Sequence, residues 1–194
     1  MFENFFGKKS PEPPESRLDA IAGSSMADRA AHLLGAPTAL MQLTLEESRT
    51  VVTYMQPRKI EEGTTFIKEG DTRNTGFMLL VLDGEVTVEN IVVSRVEPIT
   101  VTVLGEGSLL GEMGLLDGEP RSASCTASTE VRCAILTREA LEQLMIDNPQ
   151  VAAKLMMAVS LRIAERLRDS ADKLKMYAQL TQAMQQEIDH LMPT

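Results

Sequence analysis

Tryptophan is absent from this chain of 194 residues, and tyrosine, cysteine and histidine occur only twice each. Two cysteines, Cys125 and Cys133, are too few for a disulfide framework, and their strand-like surroundings mark them as core residues rather than redox sensors. His32 and His190 lie far apart in the sequence with no ligand spacing, so no metal site is expected. Apolar runs are short as well. No stretch approaches the ~20 residues that span a bilayer, and the N-terminus lacks a sustained apolar run before a cleavage site. Neither a membrane span nor secretion is indicated, and a cytoplasmic location is expected. Basic residues are in deficit, 19 Lys and Arg against 28 Asp and Glu, for a net charge of −9. That balance argues against general nucleic-acid or anionic-membrane binding, which rest on neutralising phosphates with cations.

The acidity is uneven. Residues 1–149 carry 13 basic and 23 acidic side chains, whereas residues 150–194 carry 6 and 5. An acidic domain that binds an anion must do so through local groups, which gives weight to single arginines.

Four regions follow from the pattern along the chain. Residues 1–16 read as a flexible tail: MFENFF holds three of the five phenylalanines, and KKSPEPPES has the charge, proline and serine of a linker. The aromatic cluster is either a docking peptide for a partner or packs back on the domain or a dimer mate. Residues 17–56 read as N-terminal helices. Ser25 with Asp28 suggests one cap, Gly35 and Pro37 a helix end, and Thr44 with Glu47 a capping box that opens a helix to about Met55. Residues 57–137 switch to short Val-, Ile- and Thr-rich runs divided by Gly, Asp and Asn. Strands are predicted near 58–61, 64–68, 76–82, 85–92, 99–104, 121–127 and 131–136. Seven or eight short strands at this spacing suit a double-sheet jelly roll. Residues 138–194 are helical, with one helix from Arg138 to Asp147 and a long one from about 150 to 191.

The chemistry concentrates in residues 105–127, GEGSLLGEMGLLDGEPRSASCTA. Gly111-Glu112 is followed by about one helical turn through Met113, by a Gly118-Glu119-Pro120 turn, and then by a lone cation, Arg121. A small anion needs such parts: a guanidinium for two phosphate oxygens, free backbone N–H groups and glycines that allow close approach. A carboxylate beside an anion site repels phosphate, so the use of Glu112 is to accept hydrogen bonds from a sugar hydroxyl.

This stretch resembles the phosphate-binding cassette of cyclic-nucleotide-binding domains, the family of the bacterial catabolite activator and of the cAMP-dependent kinase regulatory subunit. Gly63, Gly70, Gly84 and Gly107 match the family's turn positions, and the resemblance covers roughly residues 40–175. It implies a mainly β fold with helices, a double-stranded β-helix (jelly-roll) domain with a long C-terminal dimerisation helix. It also implies that Gly111-Glu112 meets the ribose 2′-hydroxyl, that Met113 lines the site and that Arg121 pairs with the cyclic phosphate. Ser122 and Ala123 then offer backbone N–H groups and a hydroxyl. A hydroxyl at Ser122 accompanies cGMP as well as cAMP binding in the family, so the base stays open. In catabolite-activator members a Thr-Ser pair on the long helix reaches the adenine; ungapped counting brings those positions to Arg166 and Leu167. Arg166 would stack on a purine by cation–π contact and Leu167 would cover it.

The long helix repeats apolar and small residues in heptads: Ala153, Met156, Ser160, Ile163, Leu167, Ser170, Leu174, Tyr177, Thr181, Met184, Ile188 and Leu191. Steps of four and three residues describe the seam of a left-handed coiled coil, which calls for a partner, and a homodimer is expected. The alternative is that the helix folds back on its own domain. The heptads continue where catabolite activators carry a helix-turn-helix, so no DNA binding is expected, and no nucleophile–base pair or metal cluster points to an enzyme. The expectation is a stand-alone cyclic-nucleotide sensor without cofactor, signalling to an unidentified protein partner. The competing expectation is a dimeric structural or assembly module with a vestigial or different-ligand pocket.

Overall fold

The computed structural model describes residues 21, 23–35, 43–91 and 98–191, so the MFENFF tail, its linker and Pro37 lie outside it. Helix α1 (Ser25–Leu34) starts one residue earlier than its sequence suggests: Ser24, not Ser25, caps it by accepting from the Ala27 amide. Helix α2 (Leu45–Val52) opens with the capping box expected of Thr44 and Glu47. The Glu47 amide donates to Thr44 Oγ1 at 3.2 Å and the Thr44 amide to the Glu47 carboxylate at 2.8 Å, so two N–H groups without helical partners are satisfied reciprocally.

Eight strands follow: β1 (Gln56–Ile60), β2 (Thr65–Ile67), β3 (Phe77–Asp83), β4 (Val86–Ile91), β5 (Pro98–Leu104), β6 (Leu109–Leu110), β7 (Ser124–Ala127) and β8 (Val131–Thr137). They build two four-stranded sheets, in the orders β1-β8-β3-β6 and β2-β7-β4-β5. Their pairings are antiparallel, a pattern consistent with the jelly roll read from the sequence. Gly63, Gly70, Gly84 and Gly107 all take positive φ, between 76 and 90°. Strand β6 is too short to leave a periodic signal. It pairs with Leu79 and Leu80 of β3 and delivers the chain to the cassette. Strand β7 begins at Ser124, so Arg121 to Ala123 are not part of it, contrary to the strand expected from residue 121.

The pleat of β3 divides the core in two. Phe77, Leu79 and Val81 point between the sheets and meet Val86, Val88, Leu110, Val131 and Ile135. Met78, Leu80 and Leu82 point the other way and meet Leu34, Val51, Leu144, Leu155 and Val159 from the helices. Cys125 and Cys133 are buried free thiols in the inter-sheet core, and burial pushes the pKa of each up to about 12.

Helix α3 (Glu112–Asp117) is the cassette helix, and α4 (Arg138–Asp147) leads into α5 (Pro149–Leu191). Only the first part of α5 packs on the domain, through Val151, Ala152, Leu155 and Val159 with partial cover of Met156 and Ile163. From Glu165 to Ile188 every residue is exposed. The heptad seam shares Met156 and Ile163 with the packed stripe and is otherwise uncovered as far as Ile188. Ala153 and Ser160 are exposed, and Leu167, Leu174 and Met184 remain 70, 68 and 59 % accessible. Among the described residues the helix therefore does not fold back on its own domain. No helix among them is long and apolar enough to cross a membrane.

Candidate functional site

The site is assembled where β6 ends. Gly111 takes φ +77° to turn the chain from β6 into α3, and a Cβ there would sit 2.7 Å from Arg121 Nη1 and 3.0 Å from the Phe77 carbonyl oxygen. Both the turn and the close approach thus require glycine. Gly114 does a similar service inside α3, where a Cβ would come within 3.0 Å of the same guanidinium nitrogen.

Arg121 is 5 % exposed, and its guanidinium is turned into the protein. Nε donates to the Asn74 carbonyl at 3.0 Å, Nη2 to the Asn74 and Phe77 carbonyls at 2.7 and 2.9 Å, and Nη1 to the Gly111 carbonyl at 2.7 Å. The group also stacks over the Phe77 ring at 4.5 Å. Four of its five N–H bonds are therefore taken, and one on Nη1 is left. The backbone carbonyls that hold the arginine have no side-chain signature, and they leave one N–H where a grip on two phosphate oxygens needs two.

The loop before β3 is built to present those carbonyls. Asp71 accepts from the Arg73 amide at 2.9 Å and from Asn74 Nδ2 at 3.0 Å. These bonds, first that of the Arg73 amide, hold the Asp71 carboxyl below the usual range, with Arg121 adding a smaller through-space pull. The Gly70 amide and the Arg121 carbonyl bond at 2.8 Å, and the Arg121 amide reaches the Asp71 carbonyl at 3.0 Å, so the loop and the cassette are tied directly. Burial lowers the pKa of Arg121, against the opposing pull of Asp71, Glu112 and Asp117, yet an arginine stays charged at neutral pH. No carboxylate among the described residues forms an ion pair with it.

Beside this cation opens a small cleft. Ile67, Val88, Leu110 and Cys125 form its apolar wall. Gly111, Glu112, Met113, Gly114, Arg121, Ser122, Ala123 and Arg166 supply the rest of the lining. Of the eight residues singled out in the sequence, seven thus meet in one cleft. Leu167 does not: one residue beyond Arg166 it is rotated ~100° around the helix and faces solvent, 70 % exposed. Glu112 is 5 % exposed and accepts from Arg166 Nη1 at 2.6 Å. Arg166 therefore pairs with the carboxylate instead of standing free to stack on a base. Met113 and Ser122 share the rim, with Ser122 Oγ 3.9 Å from Met113 Sδ.

Sequence reasoning passed over Asn74, Phe77 and Gly114. The dense turn residues of DTRNTG and a glycine inside a short helix were the available signals. No group of three or more metal-ligating side chains exists among the described residues. The arrangement can hold an anion at a buried cation that has no ion-paired carboxylate among the described residues, while a neighbouring carboxylate accepts from a hydroxyl.

Two antiparallel sheets around a cleft with one buried arginine and one buried glutamate define a small-molecule-binding domain. The chain belongs to the cyclic nucleotide-binding domain family, whose family model matches residues 57–148. It is similar to a crystal structure of a cyclic nucleotide-binding domain from Methylobacillus flagellatus, at 31 % identity and TM-score 0.70, covering 76 % of this chain and 81 % of that one. It is also 26 % identical over 136 residues to the CRP-like cAMP-activated global transcriptional regulator of Mycobacterium tuberculosis, covering 70 % of this chain and 56 % of the relative. A third likeness is to the regulatory domain of Toxoplasma gondii PKA with cAMP, at 26 % identity and TM-score 0.53, covering 62 % of this chain and 44 % of that one. The chain thus spans about half the length of the curated regulators it matches first.

Proposed function

We propose that this protein is a cyclic-nucleotide sensor for cAMP, with cGMP as the second candidate. The observation that carries the reading is Arg121, a buried cation with no ion-pairing carboxylate and one N–H left on Nη1, lining the cleft that Glu112 also lines. The cyclic phosphate takes that N–H and the backbone N–H groups of Ser122 and Ala123. The ribose 2′-hydroxyl donates to Glu112, and the base leaves the cleft past Met113 and Ser122 toward α5. A phosphate that needs a second guanidinium N–H must displace a carbonyl, most simply that of Gly111.

The output runs through α5. The exposed distal part of its heptad seam supports a homodimer, and its contact with Glu112 through Arg166 supports a link between ligand and helix position. A ligand shifts such an equilibrium only by its differential affinity for the two states, so helix position and affinity are coupled. An unidentified protein partner reads the result, and the jelly roll serves as the rigid frame. The second reading, a dimeric assembly module with a vestigial pocket, draws on the fact that Arg166 already occupies the Glu112 carboxylate. Isothermal titration with cAMP, cGMP and a cyclic dinucleotide separates them. Saturable heat with cAMP supports the sensor, and no heat with any of them at millimolar concentration removes it.

A further inference from the structure

We infer that Arg162 is a positioning residue for the nucleotide site: it sets the height and rotation of α5 at which Arg166 reaches Glu112. The inference rests on the sensor reading for its ligand but on geometry for its mechanism.

Arg162 lies one helical turn before Arg166, on the same face. Its Nη1 donates to the Gly107 carbonyl at 3.2 Å and its Nη2 to the Leu33 carbonyl at 3.0 Å. Leu33 is in the last turn of α1, where carbonyls lack helical donors and a cation is favoured. Gly107 belongs to the turn that leads through β6 into Gly111 and Glu112. That turn is itself fixed: the Gly107 amide donates to the Val81 carbonyl at 2.9 Å, and Arg29 of α1 holds Glu106 through bonds of 2.9 and 2.7 Å. A Cβ at Gly107 would contact Leu33 Cδ2 at 3.5 Å, so α1 rests against the turn. Three elements therefore meet at one guanidinium, half-buried and without an ion-paired carboxylate among the described residues.

Beyond this junction α5 has little else to hold it. Ile163 is its last partly buried core contact, and every residue from Glu165 to Ile188 is exposed. Arg166 reaches inward from the rim, its side chain 48 % exposed against 6 % for Glu112. A long side chain at the rim loses rotamer freedom to hold one pose, so its ion pair persists only where the helix backbone already stands at the right height. Arg162 supplies that placement with two bonds to backbone carbonyls, which do not depend on the ligand.

The test has two arms. In the first, cAMP and 2′-deoxy-cAMP are titrated into wild type, Arg162→Met, Arg166→Met and the double variant. Because Arg166 orients the Glu112 carboxylate that accepts from the 2′-hydroxyl, Arg166→Met should lower the preference for cAMP over the 2′-deoxy analogue by about tenfold, the loss of one hydrogen bond to a charged acceptor. Positioning requires that Arg162→Met lower that preference by the same factor and that the double variant lose no more. Equal losses for both nucleotides, with the preference intact, overturn it. The second arm needs no nucleotide. Spin labels at Lys59→Cys on β1 and Lys175→Cys on α5, in labelled chain diluted with unlabelled, should give a narrow distance distribution that Arg162→Met broadens. An unchanged narrow distribution overturns the inference. If wild type binds neither nucleotide, the sensor reading fails and the distance arm alone decides. Should Arg162→Met fail to fold, Arg162→Lys, whose single ammonium reaches one of the two carbonyls, should broaden the distribution partially.

Discussion

Replacing Arg121 with alanine removes the charged donor from three backbone carbonyls, those of Asn74, Phe77 and Gly111. A hydrogen bond from a charged donor contributes about 1.5–3 kcal/mol, and the guanidinium's own desolvation offsets part of that gain. The net loss for three such carbonyls is on the order of 3–5 kcal/mol, before any nucleotide is present. At about 2–4 °C per kcal/mol for a protein of this size, Arg121→Ala should unfold about 6–20 °C below wild type. Nucleotide acts separately. At a hundred times Kd a ligand adds about 2.7 kcal/mol, so cAMP should raise the wild-type Tm by about 5–10 °C and leave Arg121→Ala unmoved. Arg121→Lys keeps the charge and can reach one carbonyl, so it should fall between the two in the absence of ligand. Differential scanning calorimetry of the three proteins with and without cAMP makes the comparison. An Arg121→Ala variant whose ligand-free Tm matches wild type would refute the claim that this arginine ties the cassette together.

Glu112→Gln should weaken cAMP binding less than Arg121→Ala does and leave 2′-deoxy-cAMP almost unaffected; equal loss for both nucleotides would remove the ribose role. Leu174→Asp with Ile188→Asp places two charges in the exposed seam and should convert dimers to monomers with an intact β domain, as read by light scattering and circular dichroism. A monomeric wild type would sink the dimer outright. Neither Cys125 nor Cys133 should react with an aromatic disulfide reagent in the native protein, since burial keeps both thiols protonated to about pH 12. Both should react once the chain is unfolded, and prompt native reaction would contradict their burial.

Periodic and motif-like features were legible in the sequence. The capping box at Thr44 and Glu47, the long helix α5 and the clustering of Glu112 with Arg121 each follow from side chains at fixed spacing, and each is found where the pattern places it. Features made by backbone were not. The inward grip on Arg121 uses carbonyls, which every residue has, and β6 is held by two residues that no alternation can reveal. Counting along the chain brings Arg166 to the cleft but not to its partner, since it does not show where α5 is anchored. Its carboxylate partner belongs to another element, so only the fold shows that Arg166 meets Glu112 and Leu167 meets water. The same holds for Arg162, which in sequence is one basic residue among several on a helix.

The double burial of β3 has a consequence for how the chain reaches this state. Phe77 to Leu82 are six consecutive apolar residues, each 5 % exposed or less once folded. Their central pairing is with β8, Leu79 against Ile135, so the strand emerges long before the segment that covers its edge. Contacts this distant in sequence form slowly, because loop closure must precede them. In that interval FMLLVL is an uncharged apolar window without proline, the composition that nucleates cross-β association. Asp83 and Gly84 close the window at one end and Thr75 and Gly76 at the other, which limits its length without altering its character. Slow dilution from denaturant at micromolar concentration should therefore lose material to aggregation in proportion to the time before β8 docks, and a charge introduced at Leu82 should reduce that loss at the expense of native stability.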